Sequence, residues 1–188
     1  MFEFYIVLLS FVVSLGITSL LGAGARLAQE ADRVVFSWRY AIWALAIFNL
    51  EVVFWIKSWT YQDSFVLRAA HALPPLLLAI IGYLACGLAT PQTPAEGPID
   101  LKAFHDAQGR KYAIASAAFM IVAIVQGAIM GDFVLDGSSV PLDAAGPALL
   151  AVVFLVAAIF RRNRWVQIGA PLIYLVSSAA YYVELIGW

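Results

Sequence analysis

Long apolar runs separated by short polar connections dominate the pattern along the chain. A helix needs about 20 mainly apolar residues to cross about 30 Å of hydrocarbon. Six runs meet or approach that length: residues 5–25, 38–56, 65–89, 112–130, 144–160 and 165–186. The pattern predicts an all-α fold class, a polytopic membrane helix bundle with six transmembrane helices. Six such helices leave no room for a soluble domain, so residues 1–188 are expected to form a single transmembrane domain.

The composition agrees with this pattern and excludes several functions. Hydrophobic residues make up 63% of the chain and charged residues 12%, whereas soluble domains carry about 25% charge. The net charge of -1 gives no electrostatic basis for binding nucleic acid. A single cysteine, Cys86, provides neither a disulfide framework nor a thiolate metal site.

The basic residues predict which way the bundle faces. Nine of the eleven fall in connections on one side: Arg26, Arg33, Arg39, Lys102, Arg110, Lys111, Arg161, Arg162 and Arg164. Only Lys57 and Arg68 fall on the other side. Because cytoplasmic connections are enriched in Lys and Arg, we expect the side with nine to be cytoplasmic and both termini to lie outside.

Ionisable side chains inside the apolar runs are candidate functional residues, because each costs about 2.5–3.5 kcal/mol to insert. They are Glu51, Arg68, His71 and Glu184. Runs two and three turn near residue 62. Counting from there at about 1.5 Å per residue places Glu51 and His71 at similar depth, with Arg68 one turn from His71. We predict a cluster that either binds a polar solute or a proton, or joins the two helices structurally.

The last run carries a polar stripe on one helical face, and the fourth run a weaker one. The stripe residues taken as candidates are Tyr174, Ser177, Tyr181 and Glu184 in the last run and Gln126 in the fourth. Two such stripes can line an aqueous cavity between helices. They can equally form hydrogen bonds from helix to helix without any channel.

The first run contains a ridge of small residues at steps of four, which is typical of close helix packing. The ridge consists of Ser10, Ser14, Thr18 and Gly22. We expect it to pack either inside the bundle or between subunits.

The connection that follows the third run is the longest on the basic side. Asp100 is a candidate N-cap for a short interfacial helix that leads into the fourth run. His105 is expected at the level of the lipid headgroups, since no second His or Cys stands at metal-ligand spacing. Trp43 lies deeper in its run and is expected to pack between helices.

Several short pieces resemble a widespread group of bacterial inner-membrane proteins of about this size. The pieces are Phe2-Glu3-Phe4, Leu15-Gly16-Ile17-Thr18, Leu21-Gly22, Trp43-Ala44-Leu45, Glu51-Val52-Val53-Phe54-Trp55, Pro74-Pro75-Leu76-Leu77-Leu78 and Asp100-Leu101-Lys102-Ala103. The resemblance implies the six-helix topology and a bacterial inner membrane location, but no activity. Relatives usually carry Gln or another neutral polar residue where this chain has Glu51.

Three classes of function follow from these features. The favoured hypothesis is a small-solute or ion channel or carrier, and the alternative is a non-catalytic accessory subunit of a larger membrane complex. A membrane enzyme that uses Glu51 and His71 as acid and base is the third. No catalytic or phosphate-binding motif is present, so we expect no catalytic residue, metal or cofactor. The expected partners are the lipid bilayer and a homo-oligomer or larger membrane complex.

Overall fold

The computed structural model describes residues 2–62, 68–130 and 142–186, without the side chains of residues 69, 142, 143 and 184–186. Within these residues the chain forms six α-helices, which confirms a mainly α-helical fold. They are α1 (Phe2–Gln29), α2 (Trp38–Trp59), α3 (Ala69–Ala89), α4 (Leu101–Met130), α5 (Leu142–Ile159) and α6 (Arg164–Ile186).

Five of the six helices are long and apolar enough to cross a membrane, by length and composition. The remaining helix, α5, contributes a shorter apolar stretch, Ala144–Ile159. Large apolar side chains also cover the outside of the bundle. Phe4 is 81% exposed, and Phe11, Leu149 and Val176 are likewise exposed. An exterior of this kind is what a membrane-embedded bundle presents to lipid.

Two short strands were not expected from the sequence. After a 3-10 turn, Ala31–Arg33, strand β1 (Val34–Val35) pairs in parallel with β2 (Ile99–Asp100). The Arg33 side chain donates hydrogen bonds to the carbonyl oxygens of Pro94 and Gly97. These contacts hold the long connection before α4 against the connection between α1 and α2.

The predicted interfacial helix before the fourth run does not exist as a separate element. Asp100 does act as the N-cap, since Oδ1 accepts hydrogen bonds from the N–H groups of Lys102 and Ala103, both at 2.9 Å. From Leu101 onwards, however, α4 is one continuous helix of 30 residues. Its length of about 45 Å exceeds the thickness of about 30 Å of a bilayer's hydrocarbon layer.

The third helix starts later than predicted. Residues 63–67 lie outside the described residues, and Arg68 has an extended conformation immediately before α3 begins at Ala69. Arg68 is therefore exposed at a helix N-cap and not one turn from His71 on a shared helical face.

The ridge predicted on the first run does not pack inside the bundle. Ser14 and Thr18 are exposed, while Ser10 and Gly22 are half-buried. Ser10 accepts a hydrogen bond from Trp55 at 2.9 Å, but Ser14 donates only to the carbonyl of Phe11 in its own helix. The buried face of α1 is formed by Tyr5, Ile6, Leu9, Val13, Gly16, Leu20 and Ala23. Packing of the small-residue ridge between subunits stays a prediction.

Each helix packs against particular neighbours, and the bundle has two distinct ends. α4 packs against α3 and α5, α1 against α3 and α2, and α2 against α6. We call the end where α1 finishes and α2 begins the basic end, because seven of the nine Lys and Arg residues above lie in or beside the connections there. The other two, Arg110 and Lys111, lie about three turns into α4 from the same end. The other end, where α1 begins and α6 finishes, is the opposite end.

Candidate functional site

Glu51 and His71 do not meet, which corrects the predicted cluster. Neither carboxylate oxygen of Glu51, nor Nδ1 of His71, has a hydrogen-bond partner among the described residues. The Glu51 carboxyl lies against Gly82, 11 residues beyond His71 and therefore about 16 Å further along α3. The prediction treated residue 62 as the turning point of two uninterrupted helices, whereas α2 ends at Trp59 and α3 begins at Ala69.

Glu51 instead fills a notch made by two glycines on neighbouring helices. Its side chain is 0% exposed. A Cβ added at Gly82 in α3 would overlap Oε1 of Glu51 and lie 2.6 Å from Cδ. A Cβ added at Gly16 in α1 would lie 3.4 Å from the same oxygen and 3.3 Å from Sγ of Cys86. The Glu51 notch therefore joins α1, α2 and α3 at one buried carboxyl.

A second feature is a cavity of about 330 Å³ between α2, α3, α4, α5 and α6, which we call the tyrosine cavity. Four of the candidates line it: Gln126, Tyr174, Ser177 and Tyr181. Gln126 is buried, and its Oε1 has no hydrogen-bond partner among the described residues. Ser177 is also exposed, so the cavity reaches the surface of the bundle beside α6.

The rest of the cavity wall is mainly apolar. Its apolar side chains include Leu50, Val53 and Phe54 from α2, Leu78 from α3, Phe119, Met120 and Ala123 from α4 and Leu150 from α5. Lys57 and Tyr61 also line it, with the Lys57 ammonium 5.9 Å from the centre of the Tyr61 ring. These residues lie towards the opposite end of the bundle. Glu184 is on α6 beyond Tyr181, but its side chain lies outside the described residues.

A cluster of aromatic rings in tilted contact lies between the tyrosine cavity and the basic end. The Trp43 ring lies 5.3 Å from the Tyr112 ring and 5.6 Å from the Phe154 ring, between ring centres. The Phe154 ring lies 5.8 Å from the ring of Tyr174, which is part of the cavity wall. All four are buried, and Trp43 is 0% exposed, as expected of a residue that packs between helices. These rings, which we call the aromatic floor, come from four of the helices that enclose the cavity.

Hydrogen bonds fix the helices around this floor. The indole N–H of Trp43 donates to the carbonyl of Gln167 at 2.8 Å, and the Gln167 amide donates to the carbonyl of Ala157 at 2.6 Å. α2, α5 and α6 are thereby held together. His105 is buried and forms a hydrogen bond with Tyr112, while its level relative to the lipid headgroups stays a prediction.

Asn49 is a contributor that the sequence analysis missed. Its amide donates to Ser178 at 2.7 Å and to Tyr174 at 3.3 Å, and its oxygen accepts a hydrogen bond from Tyr182 at 3.1 Å. These bonds orient Tyr174 at the junction of cavity and floor. The available signal was an uncharged amide in the middle of the second apolar run, where Glu51 was the only predicted candidate.

Within the described residues, no three His, Cys, Asp or Glu side chains come together as a metal site would require. The arrangement offers instead a mainly apolar cavity with a few hydrogen-bonding groups, and a separate buried carboxyl. Comparison of the chain with protein-family models, with curated proteins and with solved structures gives no match. The resemblance to bacterial inner-membrane proteins therefore stays an expectation, and the function has to be argued from the geometry.

Proposed function

We propose that the chain is a multi-pass membrane protein that carries a small amphipathic solute, which it binds in the tyrosine cavity. The observation that carries the proposal is the convergence of Gln126, Tyr174, Ser177 and Tyr181 on this one cavity. Ligand sites are concave, mainly apolar and furnished with a few polar groups that set orientation, and this cavity has that character.

The size and lining of the cavity favour a particular class of solute. An apolar cavity of about 150 Å³ is enough to bind benzene, so about 330 Å³ suits a molecule with a bicyclic body. The unpartnered oxygen of Gln126 calls for an N–H or O–H group on the solute. A small inorganic ion fits less well, because most of the wall offers it no ligand.

The aromatic floor favours a carrier or a binding protein over an open channel. The buried rings of Trp43, Tyr112 and Phe154 occupy the space between the cavity and the basic end. A solute in the cavity passes the floor only if the helices that hold these rings move. Movement of helices around a site near the middle of the membrane is how carriers alternate access.

In this proposal all six helices span a bacterial inner membrane, with the basic end cytoplasmic and both termini outside. The tyrosine cavity then lies in the outer half of the membrane. The enrichment of Lys and Arg at the basic end supports the orientation. The apolar outer surface of the bundle supports its place in lipid.

Binding of a bicyclic amphipath tests the proposal. The protein in lipid nanodiscs is dialysed to equilibrium against labelled indole, with empty nanodiscs to subtract partition into lipid. We expect saturable binding at one site per chain. Ala123→Phe places a ring inside the cavity and should abolish this binding, because Ala123 is part of the wall.

The matched control is Val125→Phe on the same helix, whose side chain is exposed and not part of the cavity wall. It should bind indole like the wild type. If a panel of bicyclic amines, alcohols and amides shows no saturable binding, or if both variants bind equally well, the cavity is not a solute site.

An accessory subunit of a larger membrane complex is the second candidate. The observation that favours it is the exposure of Ser14 and Thr18 on α1, which leaves the small-residue ridge turned away from the bundle. Stoichiometric co-purification of another protein from the native membrane would support this candidate over a carrier.

A further inference from the structure

The Glu51 notch contains an ionisable group that does not line the tyrosine cavity. Both carboxylate oxygens are buried and lack a hydrogen-bond partner among the described residues. An isolated charge in such surroundings is very costly, whereas a neutral carboxyl loses far less on leaving water. The notch therefore suits the protonated acid.

The groups around the notch offer no charge to balance a carboxylate. From α1 the neighbour is Gly16, and from α3 the neighbours are Gly82 and Cys86. Of the titratable side chains that the structure describes, Cys86 in α3 and Tyr174 in α6 are the ones that interact electrostatically with Glu51. Among the described residues, no Lys, Arg or His forms an ion pair with Glu51.

A metal cation is a poor occupant of the same notch. Cations such as Mg²⁺ and Ca²⁺ take six or more oxygen ligands, and the described notch supplies one carboxyl group. The backbone carbonyl groups around it belong to helices and are engaged in helical hydrogen bonds. A proton needs only the carboxyl itself.

We propose that Glu51 is a proton-binding site, loaded with a proton in the conformation described here. Release requires α1 or α3 to move away so that water reaches the carboxyl. The O–H bond of the carboxyl then breaks, water accepts the proton and leaves as hydronium, and the carboxylate remains hydrated. The reverse step reloads the site before the notch closes.

The position of the notch connects proton binding to the tyrosine cavity. Leu50, next to Glu51 in α2, and Leu78, one turn before Gly82 in α3, both line the cavity. Opening the notch between α2 and α3 therefore displaces two wall residues. Coupling of the proton to the solute rests on the proposed function, whereas the proton site itself does not.

Infrared spectroscopy of the protein in nanodiscs tests the proton site without any solute. The difference spectrum of wild type minus Glu51→Gln at neutral pH should contain the carbonyl band of one protonated carboxylic acid per chain. The band should shift in D₂O, and it should disappear reversibly at alkaline pH. The matched control Glu3→Gln removes an exposed carboxyl near the start of α1 and should leave the band in place.

Three outcomes would overturn the proposal: a wild type without the band at neutral pH, a band retained in Glu51→Gln, or a band that neither D₂O nor alkaline pH alters. If Glu51→Gln does not fold, Glu51→Asp serves instead, and its band should move in frequency. A melting temperature raised by NaCl in the wild type but not in Glu51→Gln would reveal a sodium site, which also overturns it. Indole binding by the wild type and Ala123→Phe tests the solute site, and the infrared band tests the proton site. Because the two measurements are independent, either proposal can fail without the other.

Discussion

Gly16 and Gly82 leave the space that the Glu51 side chain occupies. Small residues in membrane helices usually allow two backbones to approach closely. Here the missing side chains also make room for a carboxyl, so the two glycines and the acid depend on one another. Each of the three is visible in the sequence as an isolated exception within an apolar run.

Their contact could not be predicted from the sequence, because it depends on the register between α2 and α3. The prediction treated residue 62 as the turning point and paired Glu51 with His71. The Glu51 carboxyl lies instead at Gly82, about three helical turns beyond His71 in α3. Errors of this kind are expected wherever the ends of two consecutive helices differ from the ends of their apolar runs.

The notch makes a prediction about Gly82→Ala. The added methyl group would collide with the Glu51 carboxyl, and overpacking of this kind costs about 1–3 kcal/mol. We expect a clearly lower melting temperature in detergent. Glu51→Ala in the same chain removes the colliding atoms and should restore part of the loss.

Gly87→Ala is the control in the same helix, since nothing lies within 4 Å of the added Cβ. It should melt at or slightly above the wild-type temperature, because Ala favours helix more than Gly does. Equal effects of Gly82→Ala and Gly87→Ala, or no recovery with Glu51→Ala, would contradict the notch.

At the scale of single helices, the sequence predicted which segments are helical better than which face of a helix is buried. The bounds of α2 agree with its run to within three residues. α4 agrees only at its end, Met130, because it begins at Leu101, and Asp100 caps α4 itself and not a separate interfacial helix. For the small-residue ridge of α1, the structure does not show the first alternative, packing inside the bundle, and packing between subunits stays a prediction. In lipid, both the packed face and the lipid-facing surface are apolar, so hydrophobic periodicity does not separate them. The sequence therefore did not identify the buried face at Leu9, Val13 and Gly16.

A pair of substitutions in α1 tests this corrected orientation. Gly16→Leu should strongly lower the melting temperature, because even a Cβ at Gly16 would lie 3.2 Å from the Tyr83 Cα atom in α3. The backbone of α3 cannot yield without separating the two helices. Thermal unfolding in detergent measures the effect.

Gly22→Leu is the matched substitution on the ridge. The nearest atom to an added Cβ is Nη1 of the flexible Arg26 side chain, at 3.6 Å. We expect little change in the melting temperature of the monomer. A change in size-exclusion behaviour with Gly22→Leu would show that the ridge joins subunits, whereas greater destabilisation than with Gly16→Leu would mean that the packed face is wrongly assigned.

Across the whole molecule, the two halves of the bundle differ in what they contain. The half towards the opposite end contains the tyrosine cavity, and the half towards the basic end contains the aromatic floor with its hydrogen bonds. The sequence predicted the number of helices and named four residues of the cavity wall. It did not predict the floor, because Trp43, Tyr112 and Phe154 are far apart in the chain and each resembles an ordinary apolar core residue.

The two ends of the bundle also differ in charge, and this difference predicts the orientation of the bundle in the membrane. With nine of the eleven Lys and Arg residues towards the basic end, that end should be cytoplasmic and the tyrosine cavity should face outside. Single cysteines at the exposed positions Arg162 and Gln62 report on the two ends. Both are introduced into a Cys86→Ser chain, since Cys86 is the natural cysteine.

In intact bacterial cells, a membrane-impermeant maleimide should label Gln62→Cys and leave Arg162→Cys unlabelled. Permeabilising the membrane should then make Arg162→Cys react as well, which serves as the control for accessibility. If Arg162→Cys reacts first in intact cells, the bundle has the opposite orientation. The tyrosine cavity would then lie in the cytoplasmic half, and a solute would reach it from inside the cell, because its wall residues lie towards the opposite end of the bundle from the floor.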